Sequence, residues 1–334
     1  MIRSRMRCAR RVSSSYMGKP PPPPWSRTAL YHRPAAAGNS YMGVRSPPGG
    51  IPWLAAIPGG EGLPVAIGFI GMGNMGRLLV TALVRAGALQ PDEVLIYSRS
   101  PEKRRRVTAA LPGVQEAYGG GDLARRAGVV FLCVKPPETA GVLEEIGPYI
   151  TADHLLVTIN NTVTLAMLEA RTPARAAKAI PSVVHAVGRG ISLLAFGGRC
   201  TPGDRALLMR LMGAVSRPLV LPEEAMRAAS DLTACGPAFL SLVLHALAEA
   251  ARASAPSLSR EDALTMVRET ARATCELMEQ AGYDFADVAA RAATPGGVAA
   301  AGADALQARL EGFWEAVLAA TAAREAAARA QLAL

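Results

Sequence analysis

Three groups of residues in this sequence have types and spacings that do chemistry. The first is Gly71-Met72-Gly73-Asn74-Met75-Gly76, which follows the apolar run Val65 to Ile70 and precedes a helix-periodic stretch from Leu78 to Ala86 closed by Gly87. In a strand, glycine turn and helix of this kind, the first glycine makes the tight turn. The second lets backbone approach a pyrophosphate and the third lets the helix pack on the strand, with the phosphates facing the helix N-terminus. The second group is Ser98-Arg99-Ser100, at the end of a second predicted strand, Glu93 to Tyr97. A site selective for NAD places an acid there for the ribose hydroxyls. A hydroxyl at Ser98 and a guanidinium at Arg99 instead suit the 2′-phosphate of NADP, because arginine makes charge-assisted bidentate contacts to phosphate. NADPH is therefore the expected cofactor, with NADH weaker; the next four cations, Lys103 to Arg106, read as a solvated helix face. The third group is the pair of segments Asp231 to Phe239 and Thr294 to Ala299, which interrupt otherwise helical sequence. Backbone N–H groups at Gly296, Gly297 and Val298, opening a helix, would form an anion nest. A helix stop of Schellman type at Gly296-Gly297 is the competing reading.

The elements that must position these groups follow from periodicity. The apolar run Val129 to Val134 reads as a buried parallel strand whose carboxyl end, Val134-Lys135-Pro136, lies at the edge where ligands bind, which makes Lys135 a cofactor contact. Leu155 to Ile159, Ala176 to Ile180, Gly190 to Phe196 and Pro218 to Leu221 are further predicted strands. Alternation of strands and helices predicts an α/β, doubly wound Rossmann sheet over residues 65–222. The chain from 223 to 334 is rich in Ala, Leu, Arg and Glu at helical spacing and predicts a separate all-α domain.

Charge and cysteine use narrow the function classes. The formal net charge of +9 is concentrated in residues 1–64, where nine Lys or Arg face the single acid Glu61. The folded part is nearly neutral and has no basic stripe interleaved with aromatics, which argues against nucleic acid. No apolar run reaches the roughly 18 residues that a membrane span requires. The five cysteines, 8, 133, 200, 235 and 275, form no C-x-x-C pair, so neither a disulfide framework nor a metal site is expected, and a reducing cytoplasm fits. Residues 1–64, with the run Pro20 to Pro24, lack apolar periodicity and read as a disordered tail. A transit peptide is one alternative for it; another is an untranslated stretch preceding a start near Val65.

Over residues 65–330 the order of segments resembles the pyrroline-5-carboxylate reductase family. The matching pieces are Ile67 to Gly76, Val134-Lys135-Pro136, Ala179-Ile180-Pro181, Gly236-Pro237-Ala238 and Pro295-Gly296-Gly297. The resemblance implies reduction of the C=N bond of a cyclic imine acid, 1-pyrroline-5-carboxylate, to L-proline. It also implies a homodimer intertwined through the helical domains and an active site where the nicotinamide pocket meets the Pro-Gly-Gly loop. Thr233, Cys235 and Thr294 become the catalytic candidates, Gly296, Gly297, Val298 and Ala299 the substrate contacts, and Ser182 a contact near the nicotinamide. Three departures cluster at that substrate site. Ala299 stands where the family has Thr, Ser182 where it has Asn, and Thr233-Ala234-Cys235-Gly236-Pro237-Ala238-Phe239 where it has Ser-Gly-Ser-Gly-Pro-Ala-Tyr. These departures resemble the branch labelled late competence proteins, so the alternative expectation is a regulatory paralogue that binds NADP and has altered chemistry. A β-hydroxyacid dehydrogenase is disfavoured: it needs a lysine in the helical domain, and the lysines are 19, 103, 135 and 178 only. Cys235 also fits a buried thiol, and His185 is read as structural more readily than as an acid.

Overall fold

The computed structural model describes residues 66–332; the expectations for residues 1–64 lie outside them. The described residues fall into two compact units, 66–267 with 310–332, and 268–309.

The larger unit is built on one eight-stranded sheet. Its elements run β1 (Ala66–Ile70), α1 (Asn74–Arg85), β2 (Val94–Tyr97), α2 (Pro101–Ala110), β3 (Gln115–Glu116), α3 (Gly120–Arg126), β4 (Ala127–Leu132), α4 (Thr139–Ile146), β5 (Leu155–Thr158), α5 (Leu165–Arg171), β6 (Arg175–Ile180), β7 (Ile191–Phe196), α6 (Pro202–Gly213) and β8 (Arg217–Val220). The strand order is β3-β2-β1-β4-β5-β6-β7-β8. The order reverses between β1 and β4, and a cleft opens outside the carboxyl ends at such a switch point. The central strands are buried on both faces, Phe69 of β1 stacking on Phe131 of β4 with ring centroids 4.8 Å apart. Leu79, Leu83, Leu208 and Leu211 pack in one core cluster, and Leu123, Leu143, Ile146 and Leu168 in the other. That double burial is why β1 and β4 read as continuous apolar runs.

The sheet is not wholly parallel. β7 pairs antiparallel with β6, Ala179 opposite Leu194. The ten residues between them hold a 3₁₀ turn, Val183–Val187, followed by Gly188 and Gly190 at positive φ. A parallel return needs a crossover of a dozen or more residues. β8 then pairs parallel with β7 because α6 supplies that crossover. The two-residue β3, whose side chains are exposed, carries no periodicity and was not foreseen from the sequence.

From Glu223 on, every regular element is helical. α7 (Met226–Ser230) continues through one π-helical turn, Asp231–Cys235, into α8 (Gly236–Ser254), and the start of α9 (Arg260–Ala281) and α12 (Phe313–Ala330) complete the larger unit's share. The smaller unit contains the rest of α9, α10 (Phe285–Ala292) and most of α11 (Val298–Leu310). The helical stretch Glu223–Ser254 is long and apolar enough to cross a bilayer by composition alone. This differs from the sequence expectation because the stretch is apolar by its average, with few charges, rather than by an unbroken run. Leu240, Leu242, Val243 and Leu247 of α8 are exposed.

Candidate cofactor and substrate site

The glycine turn sits where β1 leaves the sheet. Gly71 has φ +105°, and a Cβ there would lie 2.7 Å from the Cys133 carbonyl carbon. Its N–H donates to the Tyr97 carbonyl at 2.8 Å, tying the turn to the end of β2. A Cβ on Gly76 would lie 2.0 Å from the Gly71 carbonyl oxygen, so α1 packs on the turn only because that side chain is missing. At Gly73, the residue before α1, an added Cβ meets no protein atom within 4 Å. The protein itself makes no steric demand for glycine at 73, which leaves the approach of a ligand as the physical reason for one.

The turn borders a cavity of about 650 Å³ lined by Gly71, Met72 and Gly73, by Ser98, Arg99, Ser100 and Lys103, and by Val134, Lys135, Pro137 and Glu138. Of the candidate cofactor residues, Gly71, Gly73, Ser98, Arg99, Val134 and Lys135 line it. Asn74 lines an adjoining pocket beside Gly73, while Met75, Gly76 and Pro136 line neither. Asn160 Nδ2 donates to the Val134 carbonyl at 2.6 Å and Cys133 N–H to Ile70, so the loops after β1, β4 and β5 brace one another. Arg99 is paired with Glu138 across the cavity, its side chain 79% exposed. The cations after it are not a uniform solvated face. Arg104 is only 19% exposed, pairs with Glu116 at 2.8 Å and donates to the Ser98 carbonyl, so it shapes the turn after β2. Lys103 faces the cavity.

Ser182 is brought to Thr233, although they are far apart in sequence. The Ser182 hydroxyl is buried and donates to the Thr233 carbonyl at 2.7 Å. The Thr233 hydroxyl is itself spent on the Ala229 carbonyl at 2.9 Å, which serves the π turn. Cys235 Sγ lies 3.9 Å from an Arg227 nitrogen, and partial burial raises its pKa. The thiol is therefore neutral at pH 7 and a weak donor. Phe239 packs against Trp314, ring centroids 6.4 Å apart.

Within the smaller unit, Thr294 to Gly297 form a reverse turn closed by Gly297 N–H to the Thr294 carbonyl at 2.9 Å, with Gly296 at φ +77°. The positive φ at the third residue of the turn, directly after Pro295, is a type II arrangement. α10 has already ended at Ala292, so the glycines are not its Schellman stop. Because the Gly297 amide closes the turn, the amides available to an anion shift to Val298 and Ala299, in the first turn of α11, where helix N–H groups have no partner within the helix.

His185 is a packing residue. It is buried, with Nδ1 3.0 Å from the Arg189 carbonyl and Nε2 2.8 Å from the Ser192 hydroxyl, and burial lowers its pKa. A histidine depressed in the fold is neutral there while the unfolded chain still binds a proton, so stability falls as pH drops below the unfolded value of about 6.5. Chemical denaturation at pH 7.5 and 5.5 should show that acid-side loss in the native chain, and a smaller loss in His185→Asn.

The sequence reading passed over one charged cluster. Lys178, 1% exposed on β6, pairs with Glu223 at 2.8 Å and donates to the Asn161 carbonyl at 2.8 Å. Asn161 Nδ2 donates to Glu325 at 3.0 Å, Glu325 pairs with Arg227 and Arg329, and Arg227 pairs with Asp231. Asp231 accepts from Thr321 at 2.9 Å. Asn161, Lys178, Glu223, Arg227, Glu325 and Arg329 border a pocket of about 400 Å³ between β6, the start of the helical region and α12. The available signal was a lone lysine in a strand of Ala and Ile, and a glutamate in an Ala-rich helix.

Residues 66–162 match the family model for "NADP oxidoreductase coenzyme F420-dependent", and residues 223–331 that for "Pyrroline-5-carboxylate reductase dimerisation". The chain is 31% identical to ComE operon protein 4 of Bacillus subtilis over 251 residues, 75% of this chain and 92% of that protein. It is 26% identical to the pyrroline-5-carboxylate reductase of Methanosarcina acetivorans over 72% of this chain and 89% of that one. The fold is similar to that of the Plasmodium falciparum pyrroline carboxylate reductase with NADP bound, at a TM-score of 0.70 and 22% identity over 80% of this chain and 98% of that one. The Coxiella burnetii pyrroline-5-carboxylate reductase has the same TM-score at 24% identity.

Proposed function

We propose that this chain, which belongs to the pyrroline-5-carboxylate reductase family and to the branch that includes ComE operon protein 4, is an NADPH-dependent reductase of 1-pyrroline-5-carboxylate, forming L-proline. The observation that carries this reading is the cavity at the switch point, where a glycine turn with room for backbone approach faces the cations Arg99, Lys103 and Lys135. Gly71 to Gly76, Ser98, Arg99, Val134 and Lys135 would hold the cofactor, which when bound supplies the hydride. The chain's own task is then orientation and charge. The substrate nitrogen carries its proton into the reaction, the C=N carbon receives the hydride, and the substrate carboxylate needs an anion site. The α11 amides of Val298 and Ala299 are suited to that carboxylate. We assign residues 65–222 to cofactor binding and residues 223–334 to the dimer contact and substrate. The exposed leucines of α8 are then dimer surface rather than membrane surface, and a cytoplasmic homodimer fits them.

The test is NADPH oxidation by the purified chain with 1-pyrroline-5-carboxylate, beside its six-membered homologue and a control without imine. Turnover with the five-membered imine supports the reductase. NADPH binding with no turnover on either imine replaces it with the regulatory paralogue, the reading favoured by Ala299, Ser182 and Phe239. If the reductase is native, Ala299→Thr restores a hydroxyl where the family carries one and should raise kcat by about tenfold or more, since one positioned donor is worth up to some hundredfold in rate. An unchanged kcat would mean the pocket serves a different substrate.

A further inference from the structure

Resting on the NADPH reading, we propose that Arg77, Lys103 and Arg106 form a phosphomonoester pocket between α1 and α2, and that this pocket, rather than Arg99 alone, selects NADPH over NADH. A pocket of about 260 Å³ adjoins the main cavity and is lined by Met72, Gly73, Asn74, Arg77, Lys103, Arg106 and Lys135. Four of the seven are cations and none is an acid. Three separate segments supply them: the first turn of α1, the face of α2 shared by positions 103 and 106, and the loop after β4. Among the described residues Arg77, Lys103 and Lys135 make no ion pair, and Arg106 has only the exposed Glu102, a contact worth little.

All four cations are exposed, so their mutual repulsion in water is modest, and a dianion bound among them would relieve it. Arg99 is differently placed, since Glu138 already neutralises it. The two phosphate groups to be held are also distinct. A pyrophosphate is met by backbone at the N-terminus of α1, whereas the ribose hydroxyl that would carry the 2′-phosphate is met at the end of the second strand. Lys103 lines both the cavity at that strand end and the pocket it shares with Arg77 and Arg106.

The experiment is titration calorimetry of the whole chain with NADPH, NADH, 2′,5′-ADP and 5′-ADP, for the native protein, Arg77→Ala, Arg99→Ala and the double variant Lys103→Ala with Arg106→Ala. Losing one charge-assisted phosphate contact should raise the Kd for NADPH and 2′,5′-ADP about tenfold in Arg77→Ala, and about a hundredfold in the double variant. NADH and 5′-ADP should change less than about twofold, and Arg99→Ala should lose less preference than the double variant does. Equal weakening of NADPH and NADH would place these cations on the pyrophosphate and overturn the assignment, as would an unchanged NADPH preference in both α1 and α2 variants. A native chain that binds neither NADPH nor 2′,5′-ADP would instead remove the cofactor reading itself, and this pocket with it.

Discussion

Gly76→Ala is expected to lose both cofactor and stability, while Gly73→Ala loses cofactor alone. The Cβ added at 76 would fall 2.0 Å from the Gly71 carbonyl oxygen and 3.0 Å from the Cys133 Cβ. The first partner is backbone, so α1 must move off the turn. Overpacking of this kind costs roughly 1–3 kcal/mol of fold stability. It also displaces the helix N-terminus that the phosphates face, so the Kd for NADPH should rise by at least about a hundredfold, equivalent to about 3 kcal/mol. At Gly73 no protein atom is met. Stability there should change by less than about 1 kcal/mol, the scale of an altered cap residue, while the new methyl blocks the approach of the phosphates. Denaturant midpoints and NADPH titration of the two variants separate these outcomes, and a Gly73→Ala chain with native affinity would place the pyrophosphate elsewhere.

Glu223→Ala is expected to cost about 3 kcal/mol at pH 7, the scale of a buried charge left without its partner. Lys178 would keep only the Asn161 carbonyl, and it is 1% exposed. Burial already lowers the Lys178 pKa against the opposing pull of Glu223, and removing the carboxylate lowers it further. A lysine depressed in the fold disfavours the folded state wherever its unfolded counterpart is protonated. The variant should therefore regain stability as pH rises through the folded pKa of Lys178 toward the unfolded value near 10.4, where the native chain gains less. Glu223→Ala combined with Lys178→Met, which removes both charges and keeps the volume, should recover most of the loss. Urea unfolding at pH 7 and pH 9 measures the native chain, Glu223→Ala, Lys178→Met and the double variant. Additive losses in the double variant would show that Glu223 acts on stability through its N–H contact at Leu165 and not through Lys178.

The cofactor half was legible because its constraints are local. Ala66 to Gly87 carries strand, turn and helix in consecutive residues, so steric rules for single glycines and the period of one helix were enough. β2, β4, β5 and β6 were read from apolar runs to within two residues at each end, because a strand buried on both faces admits nothing else. The direction of β7 was not legible, since it depends on whether a ten-residue connection can cross the sheet, and β3 carries no pattern of its own. In the candidate substrate segments, the residue types in 231–239 and in 294–299 marked each as unusual without saying how their groups are used. The Thr233 hydroxyl is taken by Ala229 and the Gly297 amide by Thr294, and both losses follow from backbone conformation that residue identity does not determine.

The sequence by itself determined the glycine turn, the strands around it and the switch from sheet to helix near residue 222, each written in neighbouring residues. Only the tertiary structure decided which charges meet. It set Glu138 against Arg99, left the side chains of Arg77, Lys103 and Lys135 without an ion pair among the described residues, and drew Lys178, Glu223, Arg227, Asp231 and Glu325 into one cluster from positions up to 147 residues apart. Charged side chains are nearly interchangeable in local sequence, and their pairing energy depends on distance and burial, which the fold supplies.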